Sequence, residues 1–128
     1  MQKIYLVIGT VLAGLAVALG AFGAHGLKKV VSLEDVATYQ TGVHYQMYHA
    51  LALIITGILA DRIYNGYVSY AGVLFTAGII LFSGSLYLIV SLHAMNKAVP
   101  TAIGILTPIG GLLFILGWIC LLIGIVKK

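Results

Sequence analysis

The sequence predicts an all-α integral membrane protein, a four-helix antiparallel bundle whose fourth helix is kinked at Pro108. Three observations carry that expectation. Of the 128 residues, 62% are hydrophobic and 8% charged, whereas a water-soluble domain carries about 25% charge. With a mean hydropathy of +1.13, the chain lacks the polar surface to cover a globule in water. The apolar residues also fall in four uncharged runs, near 4–27, 41–60, 67–92 and 101–126. Each approaches or exceeds the roughly 20 helical residues that a hydrocarbon core requires. Finally, short polar turns separate the runs, as in neighbouring antiparallel helices. Residues 1–128 are therefore expected to form a single transmembrane bundle domain with no soluble part.

The first run, Ile4 to Leu27, repeats small residues four apart at Ala16, Gly20 and Ala24. That spacing lets helix backbones approach closely, so Gly20 to Gly26 reads as a packing surface with His25 at its end. Lys3 ahead of the run also admits a secretory signal, with Ala21-Phe22-Gly23 as a poor cleavage site. The length of the run and its small-residue spacing favour a span. Lys28 to Ser32 form the first loop. Ser32 followed by Asp35 matches a capping box, which places a helix start at Leu33. Glu34 and Asp35 then lie in a first turn, where the helix dipole favours acids. They read as capping carboxylates rather than a catalytic or metal-binding pair. From Leu33 the helix either lies along the interface and turns inward near Gly42, or runs unbroken to Ala60.

Asp61-Arg62 and Asn65-Gly66 make the second loop, bracketed by Tyr64, Tyr67 and Tyr70, a residue type enriched at headgroup level. The third run carries Ser83-Gly84-Ser85 and Tyr87 toward its far end. After a loop from His93 to Val99, Pro100 suits the first turn of a helix, where its missing N–H costs nothing. Within the fourth run, Pro108 cannot donate to the carbonyl of Gly104, and Gly110 and Gly111 offer no resistance to bending. Lys127 and Lys128 end at the headgroups. Cys120, the lone cysteine, has no intramolecular partner for a disulfide.

An even number of spans puts both termini on one side of a cell membrane. Lys3, Arg62, Lys127 and Lys128 fall on that side, against Lys28, Lys29 and Lys97 on the other. This narrow bias predicts cytoplasmic termini. Cations confined to segment ends suit lipid headgroups and not a nucleic acid, which requires a basic folded face. Membrane lipid is the expected partner, with a homo-oligomer or larger membrane complex as a further expectation.

Polar groups in lipid are costly unless partnered, which singles out Tyr39 to His49. Thr41, Tyr45, His49, Ala52 and Thr56 follow one stripe of that helix, flanked by Gly42 and Gln46, with His44 and Tyr48 on a neighbouring stripe. In an up-down bundle, His25, Tyr45, His49, Ser83 and Tyr87 converge near the end opposite the termini. Three readings compete for this cluster. Its groups lock the bundle by hydrogen bonds between helices. Or they line a polar recess for a lipid headgroup or small polar ligand, since they donate and accept without a buried charge. Or they perform metal, haem or acid–base chemistry. The last lacks support in spacing: His44 and His49 are five apart, and no His-x-x-Glu exists. A serine–histidine–acid set would have to combine Ser83 or Ser85, His49 and loop acids. No catalytic residue, metal ligand or cofactor is assigned. A proton-coupled pump is disfavoured, since it keeps a carboxylate deep in the membrane, and a pore would need several protomers.

Gly20-Ala21-Phe22-Gly23-Ala24-His25-Gly26-Leu27 and Tyr45-Gln46-Met47-Tyr48-His49-Ala50-Leu51-Ala52-Leu53 resemble motifs of the domain of unknown function 423 family. Leu81 to Tyr87, Pro108-Ile109-Gly110-Gly111 and Gly117-Trp118 are similar to its later motifs. The resemblance covers essentially the whole chain. It implies a small four-span bacterial plasma-membrane protein of unassigned activity, and it names no catalytic residue.

Overall fold

A computed structural model describes residues 3–128, which form an all-helical architecture with no strand among the described residues. Helix α1 spans Lys3–His25, α2 Leu33–Leu59, α3 Gly66–Ala94 and α4 Thr101–Val126. A 3-10 turn, Leu27–Lys29, follows α1. The helix starts are set locally. Ser32 Oγ accepts the Asp35 N–H at 3.1 Å, so α2 begins at Leu33. It then runs unbroken to Leu59, with no interfacial segment turning at Gly42. Asn65 Oδ1 caps α3 through the Tyr67 N–H at 3.1 Å, while its Nδ2 donates to Gly124 O at 3.0 Å and ties that cap to the end of α4. Pro100 immediately precedes α4, and helix continues on both sides of Pro108. After α3 the chain turns through Asn96 at φ 57°, a left-handed conformation that asparagine tolerates.

Helix α3 contains a feature that the sequence did not predict. Ile79–Ser83 widen into a π turn, in which Gly84 N–H reaches back to Ile79 O. Ser85 Oγ donates to Phe82 O at 2.9 Å and supplies that carbonyl with a donor inside the distorted stretch.

The segments Lys3–Lys29, Gly66–Ala94 and Thr101–Val126 are long and apolar enough to cross a membrane. Helix α2, which carries the expected span at 41–60, is long enough but not apolar enough. Gln40, His44, Gln46 and His49 dilute its first half. That helix is also the most buried of the four. It lies between α1 and α3, and α3 in turn carries α4. The core gathers Tyr5, Leu53, Phe75, Ile79, Phe114 and Leu121 toward one end. A second group, including Leu27, Val36, Tyr39 and Val90, fills the other.

Glycine sets the interhelix distances. A Cβ on Gly9 would stand 2.7 Å from Ala50 O, and one on Gly110 2.4 Å from Phe82 N. Elsewhere a ring drops into the notch, Tyr5 over Gly72, Phe75 over Gly117 and Phe114 over Gly78. The face of α1 that meets α2 is Gly9, Ala16 and Gly23, all buried and seven apart. The stripe expected from four-residue spacing departs from it: Ala16 is buried, but Ala24 is exposed. A seam seven residues apart follows a gently supercoiled neighbour, whereas a four-residue step rotates out of it.

These contacts predict opposite outcomes for two alanine substitutions. Gly110→Ala should lower unfolding free energy in bicelles by about 1–3 kcal/mol. Gly14→Ala, with nothing within 4 Å of the new methyl, should leave it unchanged or slightly higher. Equal effects would contradict the packing described.

Candidate functional site

Several polar side chains bond to a neighbouring helix, while others, such as Thr41, Thr56 and Thr76, bond back to their own backbone. Gln46 is the centre of one network. Its Nε2 donates to Leu12 O of α1 at 2.8 Å, and its Oε1 accepts the Tyr87 hydroxyl of α3 at 2.7 Å. Tyr39 OH donates to Leu19 O at 2.6 Å, and its ring lies 5.3 Å from that of Tyr87. Ser83 Oγ, fully buried, donates to Gly42 O at 2.7 Å. Tyr5 OH donates to Ser69 O at 2.7 Å, and the Ser85 and Thr107 hydroxyls meet between α3 and α4. Among the described residues no buried side-chain nitrogen or oxygen lacks a partner. This is the satisfaction a hydrocarbon medium demands.

A different arrangement lies on the α4 side of α2. A cleft of ≈ 590 Å³ opens between the two helices, with Tyr45 and His49 on one wall and Pro108, Gly111, Phe114 and Trp118 on the other. Phe82, at the π turn of α3, joins the lining. The His49 imidazole is 5% exposed and stacks on the Phe114 ring, with centroids 3.6 Å apart and planes 11° from parallel. Tyr45 lies beside this pair, 6.1 Å from His49 and 6.2 Å from Phe114, and its ring also meets Phe82 at 4.7 Å. Leu112 and Ile115 line the same cleft and are 55% and 58% exposed, so it opens outward along α4.

The hydrogen bonds of His49 fix its tautomer. Nδ1 lies 2.8 Å from Tyr45 O, a carbonyl that only accepts, so Nδ1 carries the proton. Nε2 lies 3.0 Å from Trp118 Nε1, an indole nitrogen that only donates, so Nε2 presents its lone pair. Both ring nitrogens are occupied, and a metal would have to displace Trp118 to reach Nε2. Among the described residues no group of three His, Cys, Asp or Glu side chains is placed to hold a metal.

The structure brings together only part of the set expected from sequence. Tyr45 and His49 share the cleft. Ser83 and Tyr87 turn to Gly42 and Gln46, on the side of α2 that networks with α1 and α3. His25 is exposed at the end of α1, its Nδ1 donating to Ala21 O within its own helix. Among the described residues neither a hydrogen bond nor a ring contact joins His25 to the other four. His49 also lies deeper than the bundle end: its partner Phe114 stands about 20 Å along α4 from Thr101 at 1.5 Å per residue. His93, in the last turn of α3, lies 2.8 Å from Asp35 in the first turn of α2.

Phe82, Phe114 and Trp118 of the cleft lie outside the expected set, and Gln46, expected only to flank the stripe, is the centre of the other network. A single tryptophan in an apolar run carries a signal, because an indole N–H in an apolar medium needs an acceptor. His49 offers one. The family described as protein of unknown function (DUF423) has a model that matches residues 19–111. The chain belongs to the DUF423 family. It is 43% identical over 127 residues to the UPF0382 membrane protein YwdK of Bacillus subtilis, covering 98% of each chain. It is likewise 43% identical over 126 residues to the UPF0382 membrane protein SAB0533 of Staphylococcus aureus, with 98% of each covered. A relative from Staphylococcus saprophyticus, the UPF0382 membrane protein SSP2132, is 40% identical over 126 residues, covering 98% of this chain and 99% of its own. No solved structure matches. The relatives' names and the apolar helices of this DUF423 protein thus agree on residence in a membrane.

For this DUF423 protein the hydrogen bonds predict one tautomer. Side-chain nitrogen NMR should show His49 protonated at Nδ1, with the Nε2 resonance shifting in Trp118→Phe. A His49 protonated at Nε2 would contradict the geometry.

Proposed function

We propose that this DUF423 protein is a four-span cell-membrane protein, one antiparallel bundle with cytoplasmic termini, that holds a bilayer lipid or similar neutral amphiphile in the cleft between α2 and α4. The topology is supported by paired ends. Asp35 meets His93, Asn65 reaches Gly124, and Tyr5 reaches Ser69, as in helices that alternate in direction. In this reading α2 spans despite its polar residues, because neighbouring helices take up the hydrogen bonds of Tyr39, Gln46 and His49. A bend at Pro108 belongs to the same reading. The proline lines the cleft, where a helix with one bond missing diverges most readily from its neighbour.

The observation that carries the ligand reading is the cleft itself. Its volume is in the range of small-molecule sites, its walls are mostly rings and aliphatic groups, and its mouth lies between outward-facing Leu112 and Ile115. A lipid tail fits such walls, and Tyr45 and His49 supply the few polar atoms. The other polar groups serve as the lock between helices, each contact worth about 0.6 kcal/mol in a membrane. Acid–base or metal chemistry has less support, since both His49 nitrogens are engaged.

Gly111 provides the test. A Cβ there would make only ordinary contact with Phe82, at 3.7 Å, so Gly111→Leu should fill the cleft without forcing the backbone. Native mass spectrometry from nanodiscs of phosphatidylethanolamine and phosphatidylglycerol should show a retained lipid on the wild type and none on the variant. Unfolding free energy should agree within about 1 kcal/mol. Equal retention by both, or none by either, would refute the reading.

A further inference from the structure

The rings of the cleft are ordered in a way that a lipid tail does not require. Tyr45, His49 and Phe114 lie in near-parallel planes, 11° between His49 and Phe114, 17° between Tyr45 and His49, and 28° between Tyr45 and Phe114. Phe82 tilts by 33° against Tyr45 at the π turn. Flexible chains gain little from parallel flat walls, whereas a planar ring gains stacking contact on its face.

The polar atoms match a ring that carries oxygen. Trp118 Nε1–H is a donor, and His49 Nε2 is an acceptor, now bonded to each other at 3.0 Å. Opening that one bond presents an adjacent donor and acceptor in the cleft. The Tyr45 hydroxyl, which has no hydrogen-bond partner among the described residues, can donate or accept. No carboxylate, lysine or arginine lines the cleft, so a ligand with a net charge would have no counter-ion. The mouth between Leu112 and Ile115 leads an attached tail outward along α4.

From this geometry we infer that the cleft is a binding site for a neutral planar ring bearing carbonyl or hydroxyl oxygens on an apolar tail, the chemistry of a membrane quinone or quinol. The ring stacks on the exposed Tyr45 ring, beside the His49–Phe114 pair whose faces already cover each other. A quinone carbonyl accepts from Trp118 Nε1–H, or a quinol hydroxyl donates to His49 Nε2. The tail passes between Leu112 and Ile115. This inference rests on the cleft reading given above and adds the class of headgroup.

Trp118 is the protein's only tryptophan, so its fluorescence reports on the cleft directly. Decylubiquinone titrated into nanodisc-held protein should quench that emission saturably, and dodecanol, which has a tail and no ring, should not. Gly111→Leu should weaken the apparent affinity by about tenfold or more. Ile115→Phe narrows the mouth at an exposed position and should do the same if the glycine variant fails to fold. Quenching that rises linearly without saturation, or is unchanged in both folded variants, would overturn the ring inference. If those variants nevertheless lose the retained lipid, the cleft reading survives and only the headgroup is wrong. If they retain it, both fall.

Discussion

A polar group in an apolar medium is costly unless partnered, and α2 carries the densest set of such groups. The helix carries two histidines, two glutamines and three tyrosines between Tyr39 and His49. Gln46 shows how the constraint is met. An amide has donors at one end and an acceptor at the other, so one side chain joins α1 through Leu12 O and α3 through Tyr87 OH. Tyr39 and the Ser83–Gly42 bond repeat the device nearby. The polarity that disqualifies α2 from crossing a membrane on apolar grounds thus places it between the other helices, where its burial is greatest.

With that hub in place, close packing follows from small residues rather than from hydrophobic force, since lipid tails are as apolar as leucine. Rings set into glycine notches join α3 to α4 and bring Tyr5 of α1 onto α3. At one level the pattern gives way. The π turn of α3 sets Phe82 against the backbone of Gly110, and Pro108 interrupts the bonding of α4 two residues earlier. The cleft lies beside this contact.

Features determined within a few residues are legible in the amino-acid sequence. Ser32 with Asp35 and Pro100 before Thr101 each mark a helix start through a local bond or a local steric fact, whereas Asn65, read as loop, caps α3. Uncharged runs likewise mark the apolar helices. What the sequence does not reveal is relational. Helical spacing puts Tyr45 and His49 on one stripe, but it cannot tell that they meet Phe114 while Gln46, one step around, meets Tyr87. Shared depth suggests that His25 joins them, yet depth says nothing about facing, and His25 turns back to its own helix. The π turn has no signature in the spacing of Ile79 to Ser83.

Gln46 must couple helices, rather than merely occupy α2, if that helix is the hub of the bundle. A double-mutant cycle between Gln46→Leu and Tyr87→Phe, read by unfolding free energy in bicelles, isolates that coupling. An interaction energy of about 0.6 kcal/mol or more is expected, with the Tyr87 substitution costing little once Gln46 is gone. Strict additivity of the two changes would contradict the central role given to α2.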